Sequence, residues 1–168
     1  MWRGFEAPCA GSGCGGDFAY HRGMTCIVPI ASDHRGFAPK ARLISWLAAN
    51  GHAPRDLGPE DDARCDALDY ARRLAAEMAS DAVGFGVLVC GSGQAMAMAA
   101  NRHRHLRAAL CQDVAMARTT RQHNDANVIA FGARLIGEET MRGCLKVFLD
   151  TKFEGGRHGS RVDKLSNC

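Results

Sequence analysis

Val87-Leu88-Val89-Cys90-Gly91-Ser92-Gly93 is an apolar run that ends in a thiol and a glycine turn, and the stretch Gln94-Ala95-Met96-Ala97-Met98-Ala99-Ala100-Asn101 follows it at once. A short apolar run bounded by a glycine turn reads as a buried strand. The alanines and methionines after it read as a close-packed helix that serves the core. A strand that stops at such a turn and becomes a helix gathers several chemical groups around one point. Backbone N–H groups at the start of the helix can hold a developing negative charge there. Cys90, at the carboxyl end of the strand, faces the same point as a candidate base or nucleophile.

Outward from this unit, β-type and helical patterns alternate. Apolar runs at Cys26 to Ala31, near Ala53 to Leu57, Gly86 to Cys90, Arg107 to Cys111 and Val128 to Phe131 predict five strands. Between and after them, helical patterns cover Lys40 to Asn50, Asp69 to Ala79, Gln94 to Arg102, Asp113 to Gln122 and Glu138 to Asp150. That order implies an α/β fold: a three-layer, Rossmann-like (flavodoxin-like) sandwich with a five-stranded parallel sheet. Ligands in such folds bind at the carboxyl ends of the strands, where the winding direction reverses. The loops at those ends are therefore expected to carry function.

Bulk properties narrow the class. A chain of 168 residues is expected to hold one domain with a substantial core. Hydrophobic residues at 46% and charged residues at 23% are ordinary for a soluble protein, and no apolar run approaches the roughly 20 residues of a membrane span. The net charge of +3 lacks the dense basic face that nucleic acid requires, and an anionic small molecule remains open. The eight cysteines contain no Cys-x-x-Cys pair and no zinc-finger spacing, so no metal site is expected from them. They lie mostly in apolar strand-like or helix-like runs with no secretory signal before them, which predicts reduced thiols and a cytoplasmic location. His103-Arg104-His105 invites a metal reading, but no third ligand stands at useful spacing, and the pair is read as loop.

Residues 1 to 23 lack helical or strand period and are expected to form a poorly ordered extension, with the domain proper spanning 24 to 168. Gly11-Ser12-Gly13-Cys14-Gly15-Gly16 matches the dinucleotide fingerprint literally, yet no strand precedes it and no helical pattern follows at once. Glu6 and Asp17 also make the segment a poor mitochondrial presequence.

Three loops converge chemically. They are Ser32-Asp33-His34-Arg35-Gly36, Cys90-Gly91-Ser92-Gly93 and Arg121-Gln122-His123-Asn124-Asp125. Together they supply imidazoles, a carboxylate, a thiol, a hydroxyl, a carboxamide and a glycine turn, a set suited to moving protons and stabilising an oxyanion. Near the end, Glu154-Gly155-Gly156-Arg157-His158-Gly159-Ser160-Arg161 adds two guanidinium groups four residues apart. On a helix start Arg157 and Arg161 would share a face and could grip phosphate.

Asp33-His34-Arg35-Gly36, Cys90-Gly91-Ser92-Gly93, Ala99-Ala100-Asn101, Arg121-Gln122-His123-Asn124-Asp125-Ala126-Asn127-Val128, Phe131-Gly132-Ala133-Arg134 and Phe153-Glu154-Gly155-Gly156-Arg157-His158 resemble, in order and spacing, the ribose-5-phosphate isomerase B family. The resemblance runs from about Met24 to about Leu165. The wider family also holds galactose-6-phosphate, allose-6-phosphate and tetrose-phosphate isomerases. By resemblance, the expected reaction interconverts an aldose phosphate and a ketose phosphate through a cis-enediolate, with no cofactor and no metal. The resemblance makes Cys90 the base. It places the amides of Gly91, Ser92 and Gly93, with Asn124, around the enediolate oxygen, and lets the Ser92 hydroxyl relay protons. Ring opening is assigned to His123, assisted by Asp33. The phosphate falls to His34, Arg157 and Arg161, with Arg134 supplied across a subunit interface, so a homodimer is the expected minimal unit and a tetramer could be built from it.

Two stretches depart from the family pattern. Asp66-Ala67-Leu68-Asp69-Tyr70 stands where the family usually has Asp-Tyr-Pro-Asp, and the loss of the Tyr-Pro pair at Ala67 and Leu68 bears on which sugar fits. Ala95 stands where the family often has glycine, a change that is harmless in ordinary helical geometry and costly in a turn. Two function classes follow: an isomerase of ribose 5-phosphate or of a four- or six-carbon sugar phosphate, and a noncatalytic sugar-phosphate binder of the same fold.

Overall fold

The computed structural model describes residues 26–80 and 83–167, so the expected extension at 1–23 lies outside the described residues. Strands and helices alternate through β1 (Ile27–Ser32), α1 (Phe37–Ala49), β2 (Ala53–Asp56), α2 (Ala67–Glu77), β3 (Gly86–Cys90), α3 (Gln94–Ala100), β4 (Ala108–Leu110), α4 (Val114–Asn124), β5 (Val128–Gly132) and α5 (Glu138–Asp150). A short 3₁₀ turn at Gly156–His158 then leads into α6 (Gly159–Ser166). β3 and α5 fall where the hydrophobic pattern puts them. α3 ends earlier, at Ala100, and α4 runs two residues further, to Asn124.

All five strands pair in parallel, in the order β2-β1-β3-β5-β4. The last two strands are exchanged relative to the simple doubly wound order, which puts short β4 at the edge and β5 beside β3. Pairing of Cys90 with Gly132 and of Ser32 with Val89 brings the carboxyl ends of the three central strands level. The winding reverses between β1 and β3, beside Cys90.

The pleat sorts each strand between two cores. Val87, Val89, Ile129 and Phe131 point to one face, where α1, α4 and α5 cover them with Leu43, Leu47, Ala117, Leu145 and Phe148. Leu88, Cys90, Val128 and Ala130 point to the other, against Leu74 and Ala75 of α2 and Met96, Ala97 and Ala100 of α3. Three layers result because strands buried on both faces require helices on both. Capping fixes the helix starts: Asp66 accepts from the Leu68 N–H at 2.9 Å and Asp113 from the Met116 N–H at 2.8 Å.

A lysine is buried inside this scaffold. Lys40 of α1 is 1% exposed. Its Nζ donates to Asp56 Oδ1 at 2.5 Å and to the Pro59 carbonyl at 2.8 Å. A buried ammonium persists only when so satisfied. The pair ties α1 to the segment that leaves β2. No described helix is long and apolar enough to cross a membrane.

Candidate active site

Cys90 ends β3, 3% exposed. The Gly93 N–H donates to its sulfur at 3.1 Å. That turn is possible because Gly93 is left-handed, at φ 79°, and because it lacks a Cβ, which would meet Leu110 Cδ1 at 2.4 Å and the Phe131 carbonyl carbon at 2.9 Å. The neighbouring loop holds it from one side: the Ala133 N–H donates to the Cys90 carbonyl at 2.8 Å and the Arg134 N–H to the Gly91 carbonyl at 3.0 Å. From the other side the Asp33 N–H donates to the Val89 carbonyl at 3.1 Å. The Ser92 hydroxyl is exposed and lies 3.5 Å from the Gln94 N–H. Ala95 sits inside α3, and the left-handed residue of this turn is Gly93, so the departure at 95 carries no backbone strain.

Asp33 builds its own turn. Its Oδ1 accepts from the Arg35 and Gly36 N–H groups, both at 2.9 Å. That turn presents His34, whose Nδ1 faces the Cys65 N–H at 3.4 Å and the Cys65 thiol at 4.0 Å. Cys65 immediately precedes the cap of α2, so the altered segment Ala67-Leu68 starts a helix whose entry packs against His34. Arg35 and Arg134 flank Gly91, since a Cβ there would come within 3.0 Å of the first and 3.9 Å of the second.

His123 and Asn124 lie on the last turn of α4 rather than in a loop. The helix ends there because Asp125 adopts a left-handed conformation at φ 45°, held by a buried guanidinium. Arg121, 6% exposed, donates to Asp125 Oδ1 at 2.7 Å and to the Ala126 carbonyl at 2.6 Å. Its charged plane rests over Phe85 and Phe148, 4.9 Å and 5.6 Å from the ring centres. Arg107 adds a bond to Asp125 Oδ2 at 2.8 Å. Removal from water lowers the Arg121 pKa, and the Asp125 carboxylate opposes that shift.

The C-terminal segment closes over His123. The Glu154 N–H donates to the Gln122 carbonyl at 3.0 Å, and the imidazoles of His123 and His158 stack with centres 4.3 Å apart and planes 9° from parallel. Glu154 Oε2 lies 3.7 Å from His123 Nε2 and 3.9 Å from His158 Nε2. Burial first, then the positive neighbourhood of His123, Arg157 and Arg161, lowers the pKa of His158. Both arginines thus stand around His158, Arg157 in the 3₁₀ turn and Arg161 in the first turn of α6.

The sequence alone assigns no task to Glu154 and His158, nor to Cys65, Lys40 or Arg35. The four-residue spacing of Glu154 and His158 was the available signal for that pair. Cys65 and Lys40 carry no local signal, because their partners come from other elements. His103 and His105 meet edge to edge, and His105 Nε2 is taken up by the Ala75 carbonyl at 2.9 Å, consistent with a loop role.

Known proteins are similar to this chain in sequence and fold. Ribose-5-phosphate isomerase B of Escherichia coli is 35% identical over 139 residues, covering 83% of this chain and 93% of that protein. The structure of a ribose 5-phosphate isomerase from Thermotoga maritima superposes with a TM-score of 0.83 at 39% identity, covering 85% of this chain and 99% of that one. The type B ribose 5-phosphate isomerase of Trypanosoma brucei gives 0.82 at 38% identity, over 86% and 99%. The family model described as Ribose/Galactose Isomerase matches residues 28–165, from the first strand through the arginine-bearing final helix. With the strand-end thiol, the glycine turn and the C-terminal arginines all inside that match, this chain belongs to the Ribose/Galactose Isomerase family.

Proposed function

We propose that this chain interconverts ribose 5-phosphate and ribulose 5-phosphate through a cis-enediolate, with the Cys90 thiolate as the base that carries a proton between the two carbons. The observation that carries this reading is the Gly93 N–H aimed at the Cys90 sulfur at 3.1 Å. A donor so placed interacts more strongly with a thiolate than with a thiol, and the thiolate is the form that can take a proton. With Gly93 engaged by the sulfur, the amides of Gly91 and Ser92 and the carboxamide of Asn124 remain for the enediolate oxygen. The exposed Ser92 hydroxyl relays protons between the two oxygens.

His123, at the solvent-facing end of α4, opens the sugar ring, with Asp33 assisting. His34, Arg157 and Arg161 hold the phosphate. Arg134 is exposed beside Gly91 and reaches the phosphate of a neighbouring protomer in a homodimer. The chemistry calls on protein groups alone.

Turnover of ribose 5-phosphate, erythrose 4-phosphate, allose 6-phosphate and galactose 6-phosphate by wild type and Cys90→Ala in metal-free buffer tests this reading. Ribose 5-phosphate turnover that falls about 10²- to 10⁴-fold in the variant is expected of a lost base. Turnover of another sugar alone would keep the chemistry and give the Ala67-Leu68 departure a part in specificity. Binding of sugar phosphates without turnover, and without exchange of the carbon-bound hydrogen with solvent, would overturn it.

A further inference from the structure

We propose that His123, Glu154 and His158 form a zinc-binding site whose occupation switches turnover off. The inhibitory half rests on the ring-opening role given to His123 above, whereas the binding half does not. Two imidazoles and a carboxylate are a ligand set that zinc uses in open, three-ligand sites. The nitrogen donors favour zinc over magnesium or calcium.

The geometry is close to that of a chelate. One ligand atom from each of the three residues lies within 4.8 Å of the others, and Glu154 Oε2 stands 3.7 Å and 3.9 Å from the two Nε2 atoms. Tetrahedral zinc, with bonds of about 2.0–2.1 Å, keeps its ligand atoms roughly 3.4 Å apart. Contraction onto an ion therefore needs small side-chain movements. His158 Nε2 is an acceptor and carries a lone pair, since Arg157 Nε donates to it at 3.4 Å. Arg157 is exposed and can swing away from that long contact. The two rings are parallel, so coordination tilts one of them out of the stack, and His123, with its side chain 40% exposed, has room to do so.

The backbone holds the triad together before any ion arrives. Glu154 is bonded through its N–H to Gln122, the residue before His123. Gly155 and Gly156, both at positive φ, then turn the chain so that His158 comes back over Glu154, with the His158 N–H on the Gly155 carbonyl at 3.0 Å. His158 is buried while His123 and Glu154 are reached by solvent, which gives an ion an entry path. Three protein ligands leave tetrahedral zinc a fourth position for water or a phosphate oxygen. Zinc there engages the His123 nitrogen that would otherwise exchange a proton with the sugar.

Titrating chelator-treated protein with zinc chloride by calorimetry, beside turnover and cobalt absorption spectra, tests the proposal. The expected result is one zinc per chain, loss of turnover that a chelator reverses, and a cobalt spectrum without thiolate charge transfer. Glu154→Gln and His158→Gln should turn over substrate in chelator, bind zinc about tenfold or more weakly, and escape inhibition. Cys90→Ala should bind zinc as wild type does. Absence of binding, or binding that survives both ligand variants and disappears in Cys90→Ala, overturns the site and leaves the isomerase reading standing. Zinc held by these residues with turnover undiminished overturns the switch, and the role of His123 with it.

Discussion

The Gly93 amide and the Cys90 sulfur lie 3.1 Å apart across a turn that only a left-handed glycine closes. The contact joins local backbone geometry to chemistry. Gly93→Ala should cost about 2–4 kcal/mol, since it adds left-handed strain to a clash with Phe131 and Leu110. Serine at 90 keeps the shape but is a far weaker base at neutral pH. Chemical unfolding and turnover separate the two effects: Gly93→Ala should lose both stability and activity, and Cys90→Ser activity alone.

Arg121 holds the left-handed Asp125 from inside the protein, and His123 and Asn124 immediately precede that turn. Arg121→Met leaves the Asp125 carboxylate with Arg107 as its remaining cation and orphans the Ala126 carbonyl. A loss of about 2–4 kcal/mol is expected. Turnover should fall even where the variant is fully folded, because His123 and Asn124 lose their fixed bearing. Unchanged turnover in folded Arg121→Met would show that the network serves stability only.

Lys40 is the other buried Lys or Arg among the described residues, and its partner Asp56 is half exposed, at 48%. Lys40→Met lets Asp56 return to water and strands the Pro59 carbonyl. The expected cost is about 1–3 kcal/mol, read from the denaturant midpoint. The same variant frees the segment between β2 and α2 that carries Cys65 to His34, so KM for a phosphorylated sugar should rise more than kcat falls.

Alkaline stability follows from two buried thiols. Burial pushes Cys111 up to about 12, helped by Cys144 and Asp113, and pushes Cys144 up to about 11. In the unfolded chain both ionise near pH 8.5. A folded-state pKa raised above the unfolded one gives stability that is complete below pH 8.5 and is lost as pH rises toward the folded values. The thermal midpoint should therefore fall between pH 9 and 10.5, and Cys111→Ala with Cys144→Ala should flatten that slope. Both thiols should also resist alkylation in the native protein.

The strand-to-helix switch at Cys90, the α/β order and the strand-end loops were legible in the sequence, because hydrophobic periodicity and glycine turns act over a few residues. The helical pattern stops at Gln122, two residues short of the end of α4, since that end depends on Arg121, whose side chain caps a turn ahead of it. The altered Ala67-Leu68 segment was visible, but its contact with His34 was not.

By itself the sequence determined what is local: which runs are strands, where a thiol meets a turn, and which motifs occur in which order. Tertiary structure alone decided the strand order β2-β1-β3-β5-β4, the burial of Lys40 and Arg121, and the meeting of His123 with Glu154 and His158. The reason is physical. Periodicity reports which side of an element avoids water, whereas side-chain partners from distant segments are chosen by the packing of whole layers, which leaves no mark on the spacing of any one of them.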